Sequence, residues 1–241
     1  ATVGTTSTTS IDPVPAIAEI ARRERIWLHV DAAYAGVAAI LPEFASLMDG
    51  VERADSLVVN PHKWLFIPMD LSVLFLRDEA TVRRAFSLVP EYLTTSDGDV
   101  RNYMDYGIQL GRRFRALKLW FVLRSMGAEE IRTRLRGHIE LAQRFAQWVD
   151  ETPEWETMAP HPLSLVCFRY HPRGVDNDEA LERLNAQLLD AVNATGEMFI
   201  SHTKIDGAYV LRLAIGNLRT TRGDVEAAWA ILQREAARIP R

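Results

Sequence analysis

Residues 56–65 read SLVVNPHKWL. Ser56, Leu57, Val58 and Val59 make a short apolar run, rich in valine and of strand length. Asn60 and Pro61 then turn the chain, and His62, Lys63 and Trp64 follow at once. In open α/β sheets, ligands bind beyond the carboxyl ends of strands. A strand that ends by presenting an amine between an imidazole and an indole therefore marks a candidate site.

The stretches on either side give the fold class. Upstream, residues 26–30, IWLHV, read as a strand that ends at Asp31. Residues 16–23 before it carry Ile17 and Ile20 at helical spacing, and 51–54 suit a short helix. Downstream, 71–76 reads as a third strand, and Asp78-Glu79 opens a helix to about Phe86. Strand and helix alternate, which predicts an α/β layer architecture with a mainly parallel sheet. Residues 87–107 break the pattern with Pro90, Thr94, Thr95, Ser96, Asp97 and Gly98. A loop of that length reads as a lid or binding loop.

Helix returns at Leu110, where Leu110, Phe114, Leu117 and Phe121 form one apolar stripe. Gly127 punctuates, and 131–149 is a second amphipathic helix. Strands follow at 163–170, 197–202 and 209–214, with a helix over 177–192. Thr221 with Asp224 forms a capping box for a last helix through Val225, Trp229 and Leu232. The back of the chain thus reads as a small α+β domain, 126–241, attached to a larger α/β portion, 1–125.

Composition narrows the partners. At 241 residues with a net charge of −4, the chain carries no basic field for nucleic acid. The run from Arg112 to Arg115 reads as an ion-paired helix face or a domain contact. No apolar run has bilayer length, so no membrane partner is expected. The single cysteine, Cys167, lies in an apolar run and reads as a core residue in a reducing, cytoplasmic setting. Six histidines share no metal-ligand spacing, so no metal is expected. Gly4 and Gly36 form no dinucleotide fingerprint, and no serine has a hydrolase context. Ala1-Thr2-Val3-Gly4 looks like the middle of a strand, so the chain reads as the back portion of a longer polypeptide.

Asp31 and Lys63 both stand where strands end. An acid and a lysine at such an edge suit a plain ion pair, a phosphate and metal site, or pyridoxal phosphate. The last needs a lysine for a Schiff base and a carboxylate that keeps the pyridine nitrogen protonated. The alanines after Asp31 leave room for a flat ring, and Asn60 and His62 flank the lysine.

WLHVDAAYAG followed by NPHKWL resembles the PLP-dependent group II amino-acid decarboxylases, in particular the aromatic-L-amino-acid branch. ATVGTTSTTS, ADSLVVNPHKW, PEYL and GIQLGRRFRALKLWFVLR match that branch in order and spacing, from Ala1 to the final helix. The resemblance implies a fold type I large-domain portion with a small C-terminal domain. It implies that this chain is the back half of an enzyme about twice its length, active as a homodimer with sites at the subunit interface. It makes Lys63 the Schiff-base lysine and Asp31 the partner of the pyridine nitrogen. Ala33 packs on the ring, Thr6 contacts the cofactor region, and Asn60 and His62 line its phosphate and lysine side. Tyr92, on the lid, protonates the α-carbon after carbon dioxide leaves, as a phenol can. Gly111 and Arg112 lie near the substrate pocket.

The implied substrate is tryptophan, tyrosine, phenylalanine or dopa. Tyr92 stands where related aldehyde synthases often carry phenylalanine, and Gly111 stands where histidine decarboxylases commonly carry serine. Met104 departs from the family's usual arginine, which bears on substrate preference. An aldehyde synthase or another PLP lyase on the same scaffold is the alternative. A third reading is a structural, dimerising half that is inactive alone.

Overall fold

The computed structural model describes residues 1–87 and 101–240. Its front part carries strands β1 (His29–Asp31), β2 (Ser56–Val59) and β3 (Val73–Leu76), in the order β1-β2-β3. β1 runs parallel to β2, and β3 lies antiparallel on the far side of β2. The chain start adds a parallel bridge, Thr2 to Asp31, on the free side of β1. The sheet is thus parallel except at β3.

The front strands are shorter than the apolar pattern suggests. Residues 26–30 read as one strand, but pairing begins only at His29. Ile26 and Trp27 are 61% and 44% exposed. Apolar character cannot by itself distinguish a paired residue from one leading up to it. Helix α1 (Val14–Glu24) packs Val14, Ala18 and Ala21 beneath the sheet and stops at Arg25, in left-handed backbone. Between β1 and β2 the chain makes three 3-10 segments, of which the pattern foretold only Val51–Arg53. α2 (Pro61–Trp64) is a single turn after β2. α3 (Glu79–Phe86) is capped by the Asp78 carboxylate, which accepts from Ala80 N–H at 3.0 Å.

α4 (Arg115–Glu151) is interrupted at Gly127, whose backbone is extended with φ 74°. Glycine tolerates that conformation without a Cβ clash. The expected domain limit near Ser125 falls just before this break. Ahead of it, Phe114, Leu117 and Phe121 are exposed. The stripe exists, but no described element covers it. Beyond the break, Ile131, Leu135 and Ile139 pack against the front core, while Ala142, Phe145, Ala146 and Val149 pack against the rear one.

The rear sheet is antiparallel throughout, in the order β4-β5-β7-β6. Its strands are β4 (Trp155–Thr157), β5 (Leu165–Tyr170), β6 (Ser201–Ile205) and β7 (Ala208–Ala214). α5 (Asp178–Ala194) and α6 (Arg222–Ala236) lie against it with the end of α4. Thr221 caps α6 with both reciprocal bonds of the capping box. β4, three residues long, left no periodic signal, and β6 begins later than the pattern placed it.

Candidate functional site

The site grows from the end of β2. Asn60 N–H donates to the Ala33 carbonyl at 3.0 Å, which ties the lysine turn to the segment after β1. Pro61 opens the single turn of α2, where its missing N–H costs nothing. Lys63 N–H closes the turn on the Asn60 carbonyl at 2.9 Å. Within this turn Lys63 is exposed and Trp64 is fully buried. The indole lies parallel to the Tyr34 ring, with centroids 4.9 Å apart, and donates to His138 Nδ1 at 3.1 Å.

Close backbone approach explains the small residues around this turn. A Cβ on Gly4 would come within 2.5 Å of the Ala35 Cβ, and Gly4 also has φ +83°. A Cβ on Gly36 would meet Val59 at 2.8 Å. Glycine is required at both places if the chain start and β2 are to sit this near the segment after Asp31.

Lys63 opens on a cavity of about 150 Å³ shared with Thr5, Thr6, Thr9, Tyr34, Leu165, Arg212 and Ala214. Four parts of the chain build it: the 5–9 loop, the segment after β1, the lysine turn, and strands β5 and β7. The Arg212 guanidinium donates to the Ser7 carbonyl at 2.8 Å and to the Thr6 carbonyl, and to Ser201 Oγ at 2.8 Å. It therefore clamps the 5–9 loop while keeping its charge at the cavity. Thr9 is 1% exposed, and its hydroxyl has no hydrogen-bond partner among the described residues. A buried orphan hydroxyl is costly unless something else meets it.

Electrostatics follow from burial. Burial pushes the Tyr34 phenol up to about 12, against the opposing effects of its Ser164 hydrogen bond and Arg212. Tyr34 is therefore a neutral hydrogen-bonding group at physiological pH. Burial also raises the Cys167 thiol above its ordinary range, opposed by Arg212. That thiol donates to the Ser7 carbonyl at 3.3 Å, so it acts as one more tie to the 5–9 loop.

The predicted site residues are spread more widely than the sequence suggests. Lys63 and Thr6 share the cavity. Asp31 stands exposed at the end of β1, its Oδ1 accepting from Ala33 N–H at 2.9 Å. Ala33 is buried beside it. The side chains of Asn60 and His62 engage the chain leading to β3. Asn60 Oδ1 accepts from Ser72 Oγ at 2.6 Å, and His62 Nδ1 accepts from Leu71 N–H at 3.0 Å. Gly111 and Arg112 are exposed and do not line the cavity; the Arg112 guanidinium lies over Gly107. Tyr92 lies outside the described residues, as does most of the 87–107 loop.

Of the three jobs open to Asp31 and Lys63, the ion pair fails. Lys63 Nζ has no ion-pair or hydrogen-bond partner among the described residues. Arg212, Tyr34 and Thr9 were missed. Arg212 left one signal, a lone cation inside the apolar strand YVLRLA. Thr9 and Tyr34 left none, since only folding brings them to Lys63. Among the described residues, no helix is long and apolar enough to cross a membrane.

Residues 1–171 match the family model described as the pyridoxal-dependent decarboxylase conserved domain. The chain is 45% identical over 242 residues to tyrosine decarboxylase 4 of Petroselinum crispum, covering 98% of this chain and 48% of that protein. It is 46% identical over 240 residues to phenylacetaldehyde synthase of Arabidopsis thaliana, covering 98% and 49%. The crystal structure of Oryza sativa TDC with PLP and tryptamine superposes with a TM-score of 0.93 at 37% identity, covering 99% of this chain and 50% of that one. The chain thus spans about half the length of the relatives it matches.

Proposed function

The chain belongs to the pyridoxal-dependent decarboxylase family, and on that premise we propose that it serves an enzyme that converts an aromatic L-amino acid to its amine and carbon dioxide. The observation that carries this reading is Lys63: an amine without a partner among the described residues, at the carboxyl end of β2, opening on a cavity and held from behind by buried Trp64. The residues fit pyridoxal phosphate. The free amine suits its aldehyde, and the orphan Thr9 hydroxyl in the same cavity calls for a polar guest.

When bound, pyridoxal phosphate supplies an electron sink for the pair left at the α-carbon as carbon dioxide departs. Lys63 would hold the group through its amine and be exchanged for the substrate amine. Asp31, whose carboxylate accepts from Ala33 N–H, would keep a proton on the ring nitrogen. Arg212 lends the cavity a fixed positive charge that favours a substrate carboxylate. Tyr92 returns a proton to the α-carbon.

In this reading the remaining wall of the pocket belongs to the half of the relatives' length that this chain does not span. The enzyme is then a cytoplasmic homodimer, divided here at about residue 125. Buried, unpaired Cys167 supports a reducing compartment. The likeness to a phenylacetaldehyde synthase keeps one alternative in view, the same scaffold yielding an aldehyde.

The test uses the full-length protein and Lys63→Ala with carboxyl-labelled tryptophan, tyrosine, phenylalanine, dopa, histidine and glutamate. Carbon dioxide should come from aromatic substrates only and disappear in the variant. The product, amine or aldehyde, separates the two readings. No release from any substrate while the cofactor is bound would sink both.

A further inference from the structure

Two aromatic rings join the two segments that carry Asp31 and Lys63. Tyr34 lies three residues after the acid, Trp64 one residue after the amine, and the rings stack at 8° between planes. Each ring is gripped by one polar group from the rear of the chain. Ser164, just ahead of β5, is hydrogen-bonded through Oγ to the Tyr34 hydroxyl at 2.5 Å. His138, on the second half of α4, accepts the Trp64 indole N–H at Nδ1.

The His138 grip has a defined chemistry. The imidazole is 2% exposed. Burial lowers its tendency to protonate, and nearby Arg134 opposes protonation further, with the Asn217 backbone as its hydrogen-bonding neighbour. An imidazole that accepts at Nδ1 must carry its proton on Nε2. Phe66 sets its ring edge-on to the imidazole, with centroids 5.8 Å apart, and Gly216 abuts the indole. The plane of Trp64 is thus fixed on every described side. Lys63 is the residue just before it, in a turn too short to move without its tryptophan.

We propose that His138 and Ser164 are positioning residues that set where the Lys63 amine and the Asp31 segment meet the cofactor, acting through the stacked Tyr34–Trp64 pair. The proposal rests on Lys63 being the cofactor lysine. It gives the rear of the chain a role in the chemistry beyond lining the cavity, since the orientation of α4 and the lead into β5 becomes the orientation of the lysine turn. A hydrogen bond at each ring fixes rotation, which apolar packing alone leaves freer.

The test compares full-length wild type with His138→Leu, His138→Asn, Trp64→Phe, the Leu/Phe double variant and Ser164→Ala. Asparagine presents an oxygen where Nδ1 stood and should restore the acceptor. The first readout needs no cofactor: the rate at which an amine reagent labels Lys63 in the apo protein, relative to other lysines, by mass spectrometry. The second is the induced circular dichroism of bound pyridoxal phosphate, which reports how its ring is held. His138→Leu and Trp64→Phe should each shift the Lys63 labelling rate at least about threefold and weaken the induced signal. The double variant should be no worse than either single one, because they break the same contact. His138→Asn should stay near wild type, and Ser164→Ala should weaken the induced signal by itself. Melting curves identify variants that have unfolded; Ser164→Ala and His138→Asn then still decide the matter. Unchanged labelling and induced signal in folded His138→Leu and Ser164→Ala would overturn the proposal and leave the rings as core packing. If wild type binds the cofactor elsewhere than Lys63, the functional reading fails instead, while apo labelling still measures the grip.

Discussion

The two sheets of this molecule are stabilised in different ways. The rear sheet lies on a core of interlocked rings, with Phe145 5.1 Å from Phe168 and 5.5 Å from Trp229, and Trp155 5.0 Å from Trp229. The front sheet lies on many alanines, among them Ala18, Ala21, Ala32, Ala35, Ala38 and Ala54, beside aliphatic residues such as Leu28, Val30 and Leu41 and the stacked ring pair of Tyr34 and Trp64. Ile131, Leu135 and Ile139 of α4, and Leu163, complete that front core. Each buried aromatic removes far more apolar area from water than an alanine does. The part presenting Lys63 thus combines burial with close backbone approach, where the rear relies on interlocked rings. It gains stability from the part behind it.

The largest effect expected is in the rear. Phe168→Ala should cost about 4 kcal/mol in the unfolding free energy, because fully buried Phe168 sits between Phe145 and Trp155. Chemical denaturation measures it. A loss near 1 kcal/mol would erase the distinction between the two cores. Leu135→Ala, at the joint, should cost about 3 kcal/mol and loosen the front sheet with it. Hydrogen exchange at β1 and β2 reports that coupling; unchanged protection there would show the front sheet to be self-supporting.

Asp31→Asn inverts the pattern. With its side chain exposed, stability should hardly change, while carbon dioxide release by the full-length enzyme should fall on the order of a hundredfold. A drop in melting temperature at equal activity would return Asp31 to a structural role. Thr221→Ala should cost about 1 kcal/mol, through loss of the hydroxyl that accepts from Asp224 N–H at the start of α6. A wild-type melting temperature would show that packing alone fixes that helix start.

The smallest effect joins the two regions across the surface. Glu43 pairs with Arg136 at 2.5 Å, and that hydrogen bond holds its carboxyl at about 2, below the ordinary 4.5. A carboxylate with a depressed folded value stabilises above its unfolded value and loses that contribution as pH falls towards the folded one. Melting temperatures of wild type and Glu43→Gln should therefore differ slightly above pH 4.5 and converge as pH falls to about 2. A gap that widens on acidification would contradict the assignment.

Local patterns were legible wherever one residue type answers one local demand. Thr221 with Asp224 announced a helix start, Gly127 announced a break, and Asp31 and Lys63 stood at strand ends as read. Patterns that need a neighbour were read less well. The stripe of Phe114, Leu117 and Phe121 is amphipathic, yet it is exposed, because amphipathicity says which face wants cover and not what covers it. Asn60 and His62 flank the lysine in sequence, but a single helical turn sends their side chains towards residues 71 and 72.

The sequence by itself determined the alternation of elements, the presentation of Lys63 and Asp31 at one sheet edge, and the family. Those follow from spacing, turn chemistry and side-chain type, all local to the chain. Tertiary structure alone decided that Lys63 has no ionic partner among the described residues, that Arg212 shares its cavity from 149 residues away, and that His138 holds its neighbouring tryptophan. Contacts over such separations depend on how α4 bends at Gly127 and where the rear sheet docks. Many packed side chains set that geometry together, and no single stretch of sequence records it.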